Sequence, residues 1–191
     1  YFVALGKNVG GYDKVSSAIT ESLLELGIDI QFETTVNQID ESFINPSTTL
    51  VVFTPAISKS NVIFQYFETH NFKILKRSEV LGLVTELTQC LAVAGTHGKT
   101  TTSSILGHLM YECNEKVTAF IGGITENYQS NLIQNGTEIS VVEADEFDRS
   151  FLHLSPFASI VTAMDPDHLD IYGDASNFKD GFRQYAMKID P

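Results

Sequence analysis

The stretch that most constrains this chain lies between positions 90 and 111. A short apolar run, Leu91-Ala92-Val93-Ala94, leads into a loop with two glycines, Gly95-Thr96-His97-Gly98. Lys99-Thr100-Thr101-Thr102 follows, then apolar residues at Ile105, Leu106, Leu109 and Met110. The run reads as a buried strand, and the later spacing reads as a helix with those four residues as its apolar face. Successive N–H groups in a glycine-permitted turn, with the positive end of the next helix, form an anion cradle. Lys99 can reach the β- and γ-phosphates of a nucleotide, and the Thr100 hydroxyl can ligate Mg²⁺. One departure stands out. The general pattern G-x-x-x-x-G-K-[ST] puts its first glycine at position 93, where this chain has Val93. A glycine turn before a helix with an incidental lysine is the plainer alternative.

The rest of the chain alternates in the same way. Strands are expected at residues 8–13, 28–32, 50–53 and 72–75, with helices at 15–26 and 62–67. Residues 78–89 read as a link to a second series. There, strands are expected at 117–121, running into a Gly122-Gly123 turn, at 139–142, ending on Glu143, and at 159–164, ending on Asp165. This alternation predicts parallel sheets with helices on their faces, an α/β fold.

In an open parallel sheet, ligands gather at the carboxyl ends of the strands. Glu143 would meet the glycine loop there and serve the metal. Asp145, Glu146 and Asp148 are further carboxylates that also suit a solvated acidic turn. Asp165-Pro166-Asp167-His168-Leu169-Asp170 arrives at the same edge, and a neutral imidazole at His168 can ligate a second metal. A capping or buried structural histidine is the bland reading. His97, inside the loop, is open to contact with substrate or phosphate. Asp13 and Thr54 sit at strand ends, where Asp13 suits a ribose hydroxyl or a helix cap.

Composition narrows the partners. The chain has 191 residues, 43% hydrophobic, enough for a core. A net charge of −12 makes sequence-independent nucleic-acid binding unfavourable. Two cysteines, Cys90 and Cys113, rule out a disulfide framework or a cysteine zinc site. No apolar run approaches the roughly 20 residues of a membrane span, and no signal peptide is visible. A soluble cytoplasmic protein with no membrane or nucleic-acid partner is the expectation. The chain opens on Tyr1 at what reads as a helix end, and closes just after another helix. A fragment of a longer protein is expected.

Three stretches in order carry a resemblance: 95–102 (GTHGKTTT), 143–152 (EADEFDRSFL) and 167–173 (DHLDIYG). Together they resemble the Mur ligase family, the ATP-dependent amide-forming enzymes of peptidoglycan synthesis. Gly10-Gly11-Tyr12-Asp13 and Thr54-Pro55-Ala56-Ile57 look like strand ends of that family's N-terminal domain. The resemblance implies a Rossmann-like UDP-substrate domain at residues 1–84 and the first part of a P-loop α/β ATPase domain at 85–191. It implies ATP and Mg²⁺ as cofactors. Gly95, Thr96, His97, Gly98, Lys99, Thr100 and Thr101 would bind the nucleotide, and Thr100, Glu143 and His168 the metal, with Lys99 and His168 catalytic. Asp13, Thr54, Gly122, Gly123 and Asn131 would border the UDP-sugar substrate. The resemblance implies ligation of L-alanine to the lactyl carboxylate of UDP-N-acetylmuramate through an acyl phosphate, and the histidine at position 97 separates the chain from relatives that carry asparagine there. Alone, the fragment would be inactive. A recycling ligase that uses a preformed peptide shares the loop histidine, and a P-loop nucleotide hydrolase or switch is the rival outside this class.

Overall fold

The computed structural model describes residues 1–165 and 172–189, excluding the Asp148 side chain, as two compact units. The first is Phe2–Arg77. In it β1 (Gly10–Tyr12) and β2 (Asp29–Gln31) pair in parallel around α1 (Ala18–Glu25). Likewise β3 (Leu50–Phe53) and β4 (Lys73–Lys76) pair in parallel around α2 (Val62–Thr69). These are two β-α-β units, each with a two-stranded sheet.

The helix expected from residue 15 begins at Ala18, because local polar groups claim the preceding backbone. Asp13 Oδ1 accepts from the Val15 N–H at 3.2 Å. Ser17 is extended and forms a reciprocal capping box with Thr20. Asn61 caps α2 by its side chain alone, accepting from the N–H groups of Ile63 and Phe64. Phe67 and Phe72 pack edge to face behind α2 with centroids 4.9 Å apart.

The second unit begins at Ser78 and holds a five-stranded sheet. Its strands are β5 (Gln89–Ala94), β6 (Val117–Thr125), β7 (Ser130–Gln134), β8 (Ile139–Ala144) and β9 (Ala158–Val161), in the order β7-β6-β8-β5-β9. Only the β6–β7 pair is antiparallel. The helices are α3 (Arg77–Glu86), α4 (Lys99–Glu112) and α5 (Ala175–Ala186).

Alternation along the strands builds two cores. Cys90, Ala92, Ala94, Val142 and Ala144 face an aromatic layer of Phe151, Phe178, Phe182 and Tyr185. Val117, Ala119, Ile121, Ile133 and Val141 face Leu91, Leu106 and Met110. Phe151 stacks on Tyr185 at 4.9 Å with nearly parallel rings, and the small alanines of the sheet admit that layer.

Four expectations need correction. The span 78–89 is mostly a helix, α3, whose Val80, Gly82, Val84 and Thr85 are buried. The Gly122-Gly123 pair is not a turn: it lies inside β6, and the chain reverses at Glu126–Gln129 into an unforeseen strand, β7. The apolar face of α4 is rotated from the expected one. Ser103 and Gly107 are buried with Leu106 and Met110 against the sheet, whereas Ile105 and Leu109 are more than half exposed. Glycine and serine let the helix axis approach the strands, so the smallest residues mark the inner face. Finally, β9 stops at Val161, because the next residues bond to the glycine loop. Among the described residues, no helix is long and apolar enough to cross a membrane.

Candidate active site

The carboxyl ends of β5, β8 and β9 lie side by side, with Val93 opposite Glu143 and Ala94 opposite both Ala144 and Val161. The loop leaving β5 therefore emerges beside Glu143. Gly95 (φ 124°) and Gly98 (φ 80°) both occupy the left-handed region, which other residues enter only with strain. A Cβ at Gly95 would also collide with the Thr162 hydroxyl and the Ala163 backbone.

That closeness comes from a set of bonds pinning the loop to the exit of β9. The Thr162 hydroxyl donates to the Ala94 carbonyl at 3.1 Å and lies against the His97 carbonyl. The Thr96 N–H donates to the Ala163 carbonyl at 3.1 Å. Gly98 caps α4 without a side chain, so the first amides of the helix keep their anion-binding character.

Lys99 curls back over this loop. Its Nζ donates to the Gly95 carbonyl at 2.7 Å and to Glu146 Oε2 at 2.8 Å, with Asp145 at 4.0 Å. The Glu146 side chain is 1% exposed, and that of Asp145 is 55% exposed. One residue further on, the Thr100 hydroxyl donates to Glu143 Oε2 at 3.0 Å. Ser103 Oγ reaches Glu143 Oε1 at 3.2 Å, and the Gly122 N–H reaches the same oxygen at 2.6 Å. The Gly122 α-carbon lies so close to this carboxylate that a Cβ there would stand 2.8 Å from Oε2. A Cβ at Gly123 would touch Thr100 Cγ2 at 3.5 Å.

The structure thus brings Gly95, Thr96, Gly98, Lys99, Thr100, Glu143, Gly122 and Gly123 into one neighbourhood. His97 and Thr101 are exposed on the loop and first helical turn. Asn131 is exposed on β7, and no hydrogen bond described here ties it to this cluster. Asp13 and Thr54 belong to the other unit. Asp13 makes the Val15 turn bond while Ser17 caps α1, and Thr54 follows β3 as a turn whose carbonyl accepts from the Ile57 N–H at 3.0 Å. His168 lies outside the described residues, and Asp148 falls in a 3₁₀ segment, Phe147–His153.

Sequence reasoning missed three participants: Glu146 as partner of Lys99, Ser103 as a donor to Glu143, and Tyr172. The Tyr172 hydroxyl donates to the Glu146 carbonyl at 2.7 Å, and the Arg149 guanidinium lies 5.3 Å from its ring centroid. Burial pushes the Tyr172 phenol up against the opposing pull of Arg149, so it remains a donor. The one available signal was spacing, since Ser103 stands one helical turn after Thr100.

Among the described residues, no group of three or more His, Cys, Asp or Glu forms a metal cage. Mg²⁺ needs none, because it keeps waters and binds through one or two carboxylates plus phosphate oxygens. The residues present fit a magnesium nucleotide. Glu143 and Thr100 place two oxygens together at the helix start, and the buried Thr96 hydroxyl has no hydrogen-bond partner among the described residues.

Residues 1–88 match the description "Mur ligase family, catalytic domain", and residues 93–185 match "Mur ligase middle domain". The chain belongs to the Mur ligase family. A relative from Flavobacterium psychrophilum named UDP-N-acetylmuramate–L-alanine ligase is 56% identical over 100% of the chain and 42% of its own length. One from Parabacteroides distasonis with the same name is 50% identical, with the same coverage. Among solved structures, UDP-N-acetylmuramate-alanine ligase from Thermotoga maritima superposes with a TM-score of 0.83 and 27% identity, covering 98% of this chain and 43% of that one. A UDP-N-acetylmuramate:L-alanyl-γ-D-glutamyl-meso-diaminopimelate ligase from Neisseria meningitides shares the fold, with a TM-score of 0.80 at 24% identity over 98% of this chain and 62% of that one. The chain spans about two fifths of the length of the curated relatives it matches.

Proposed function

We propose that this chain is the phosphate-activating portion of a cytoplasmic ligase that joins L-alanine to the lactyl carboxylate of UDP-N-acetylmuramate, with ATP and Mg²⁺. Residues 1–84 form the UDP-substrate domain and residues 85–191 the opening of the ATP domain. The observation that carries the reading is the convergence of Lys99, Thr100 and Glu143 where β5 and β8 end. The names of relatives at 50–56% identity support the choice of substrate.

The chemistry needs such a site. A free carboxylate is a poor acyl donor because oxide is a hopeless leaving group. Bound Mg²⁺–ATP supplies a transferable phosphoryl group, which turns that oxygen into phosphate. Bringing a carboxylate to a triphosphate joins two anions, so the protein must supply positive charge. Lys99 provides it, together with the amides at the start of α4. Thr100 and Glu143 hold the metal, with His168 for a second. The loop from Gly95 to Thr101 cradles the phosphates. Gly122, Gly123 and Asn131 border the muramyl group, while Asp13 and Thr54 serve the UDP part. The amine of L-alanine then attacks the acyl carbon through a tetrahedral intermediate and releases phosphate.

Lys99→Ala in the full-length protein tests this reading. It should abolish acyl-phosphate formation, followed by positional isotope exchange in ATP, while UDP-N-acetylmuramate affinity is largely kept. Near-normal exchange would refute the assignment of the loop. Presenting L-alanine and a tripeptide as competing acceptors tests the substrate, and preference for the tripeptide would move the assignment to the recycling reaction.

A further inference from the structure

Glu146 sits in a position that its sequence context conceals. It follows Glu143 by three residues in an acidic turn, yet its carboxylate is 1% exposed while neighbouring Asp145 is 55% exposed. A carboxylate removed from water to that degree is unfavourable unless a cation and hydrogen bonds compensate it. Its cation is Lys99, at 2.8 Å.

The backbone under Glu146 is fixed as well. Its carbonyl accepts from the Tyr172 hydroxyl at 2.7 Å and from the Arg149 N–H at 3.0 Å. The Phe151 N–H is held by the Asp145 carbonyl at 2.9 Å. Glu146 therefore cannot follow the lysine out toward solvent. Nor can the lysine leave without stranding a buried anion.

An ammonium has three N–H bonds. Two are committed, one to the Gly95 carbonyl and one to Glu146. The third is available to an incoming phosphate oxygen. We propose that Glu146 is a positioning residue which keeps its bond to Lys99 while nucleotide is bound and aims that third N–H at the transferring phosphoryl group. The proposal rests on the nucleotide reading of the loop given above.

This arrangement has a signed consequence. The carboxylate neutralises part of the lysine's charge, so it opposes ground-state binding of a polyanion. At the same time it removes the lysine's freedom to sit anywhere else. Deleting its charge should strengthen nucleotide binding and slow the chemical step. A residue that served only as packing would weaken both or neither.

The test is Glu146→Gln in the full-length protein, which keeps size and shape. Mg²⁺–ATP affinity is measured by calorimetry and kcat by amide formation. The expected result is an affinity equal to or up to about fivefold tighter than the parent's, with kcat at least about tenfold lower. A kcat within about twofold of the parent's, or a weaker affinity, overturns the proposal. If Glu146→Gln does not fold, Tyr172→Phe removes the bond to the Glu146 backbone and leaves the carboxylate in place. With the charge retained it should lower kcat by more than about twofold while Mg²⁺–ATP affinity stays within about twofold of the parent's, and a kcat within about twofold of the parent's, or parallel losses in both quantities, overturns the proposal. The two readings fail differently. If the parent itself does not bind Mg²⁺–ATP, the loop assignment falls and takes this proposal with it. If the parent binds and the variant shows no split, only the role of Glu146 falls.

Discussion

Gly107 lies on the inner face of α4, where the helix crosses β6. A methyl group there would stand 2.6 Å from Ala119 Cβ and 3.5 Å from Ile133 Cδ1. Carbon atoms rest about 3.5–4.0 Å apart, so the first contact must open by about 1 Å. Ala119 cannot yield by changing rotamer, since its Cβ is fixed to a strand paired on both sides. The helix must move instead. Overpacking of this kind costs about 1–3 kcal/mol, and replacing glycine by alanine within a helix returns about 1 kcal/mol. Gly107→Ala should therefore destabilise the protein by about 1 kcal/mol, read as a lower urea midpoint by circular dichroism. The functional loss should be larger. Lys99 and Thr100 ride on the first turn of the same helix, and a displacement of about 1 Å at a reacting group can cost on the order of a hundredfold in rate. A Gly107→Ala protein that unfolds at the parent's urea concentration or above would show that the helix is not seated as described.

Two further outcomes follow from the same packing. Ser103→Ala removes one of three donors to Glu143, so the Mg²⁺ concentration for half-maximal nucleotide binding should rise about tenfold, as expected when a ligand's supporting bond is lost; an unchanged Mg²⁺ dependence would contradict the clamp. Burial holds the Cys90 thiol up to about 11 and the Tyr185 phenol up to about 12, so the folded protein retains protons that the unfolded chain releases near 9 and 10. That stability is complete below about pH 9 and declines as pH rises toward 12, and Tyr185→Phe should flatten the upper part of the decline in urea titrations; a midpoint that does not change across that range would contradict it.

The parts of this molecule that were legible in advance are those where a local signal and a tertiary role coincide. Residues 50–53 form a strand because a run of apolar residues ends at Thr54-Pro55, and β3 spans Leu50–Phe53. Lys99 and Thr100 could be read because a strand, a glycine loop and a helix occur in fixed order. What escaped depends on partners distant in sequence. Gly122 and Gly123 look like a turn to any local rule, yet β6 runs through them because the space a side chain would fill is taken by Glu143 and Thr100. The inner face of α4 was misjudged because hydrophobicity marks Ile105 and Leu109, while close approach to the sheet selects Ser103 and Gly107. Glu146 was grouped with solvated acids because nothing in an acidic turn announces which carboxylate will point inward toward a lysine 47 residues earlier.

The aromatic layer beneath the sheet bears on how the molecule comes into being. Ala92, Ala94 and Ala144 are too small to cover one another, and the rings of Phe178, Phe182 and Tyr185 that cover them belong to the last helix of the described chain. While the polypeptide is still emerging from the ribosome, β5 and its glycine loop are made long before the wall they lean on. That face of the sheet must wait uncovered until α5 arrives to close it.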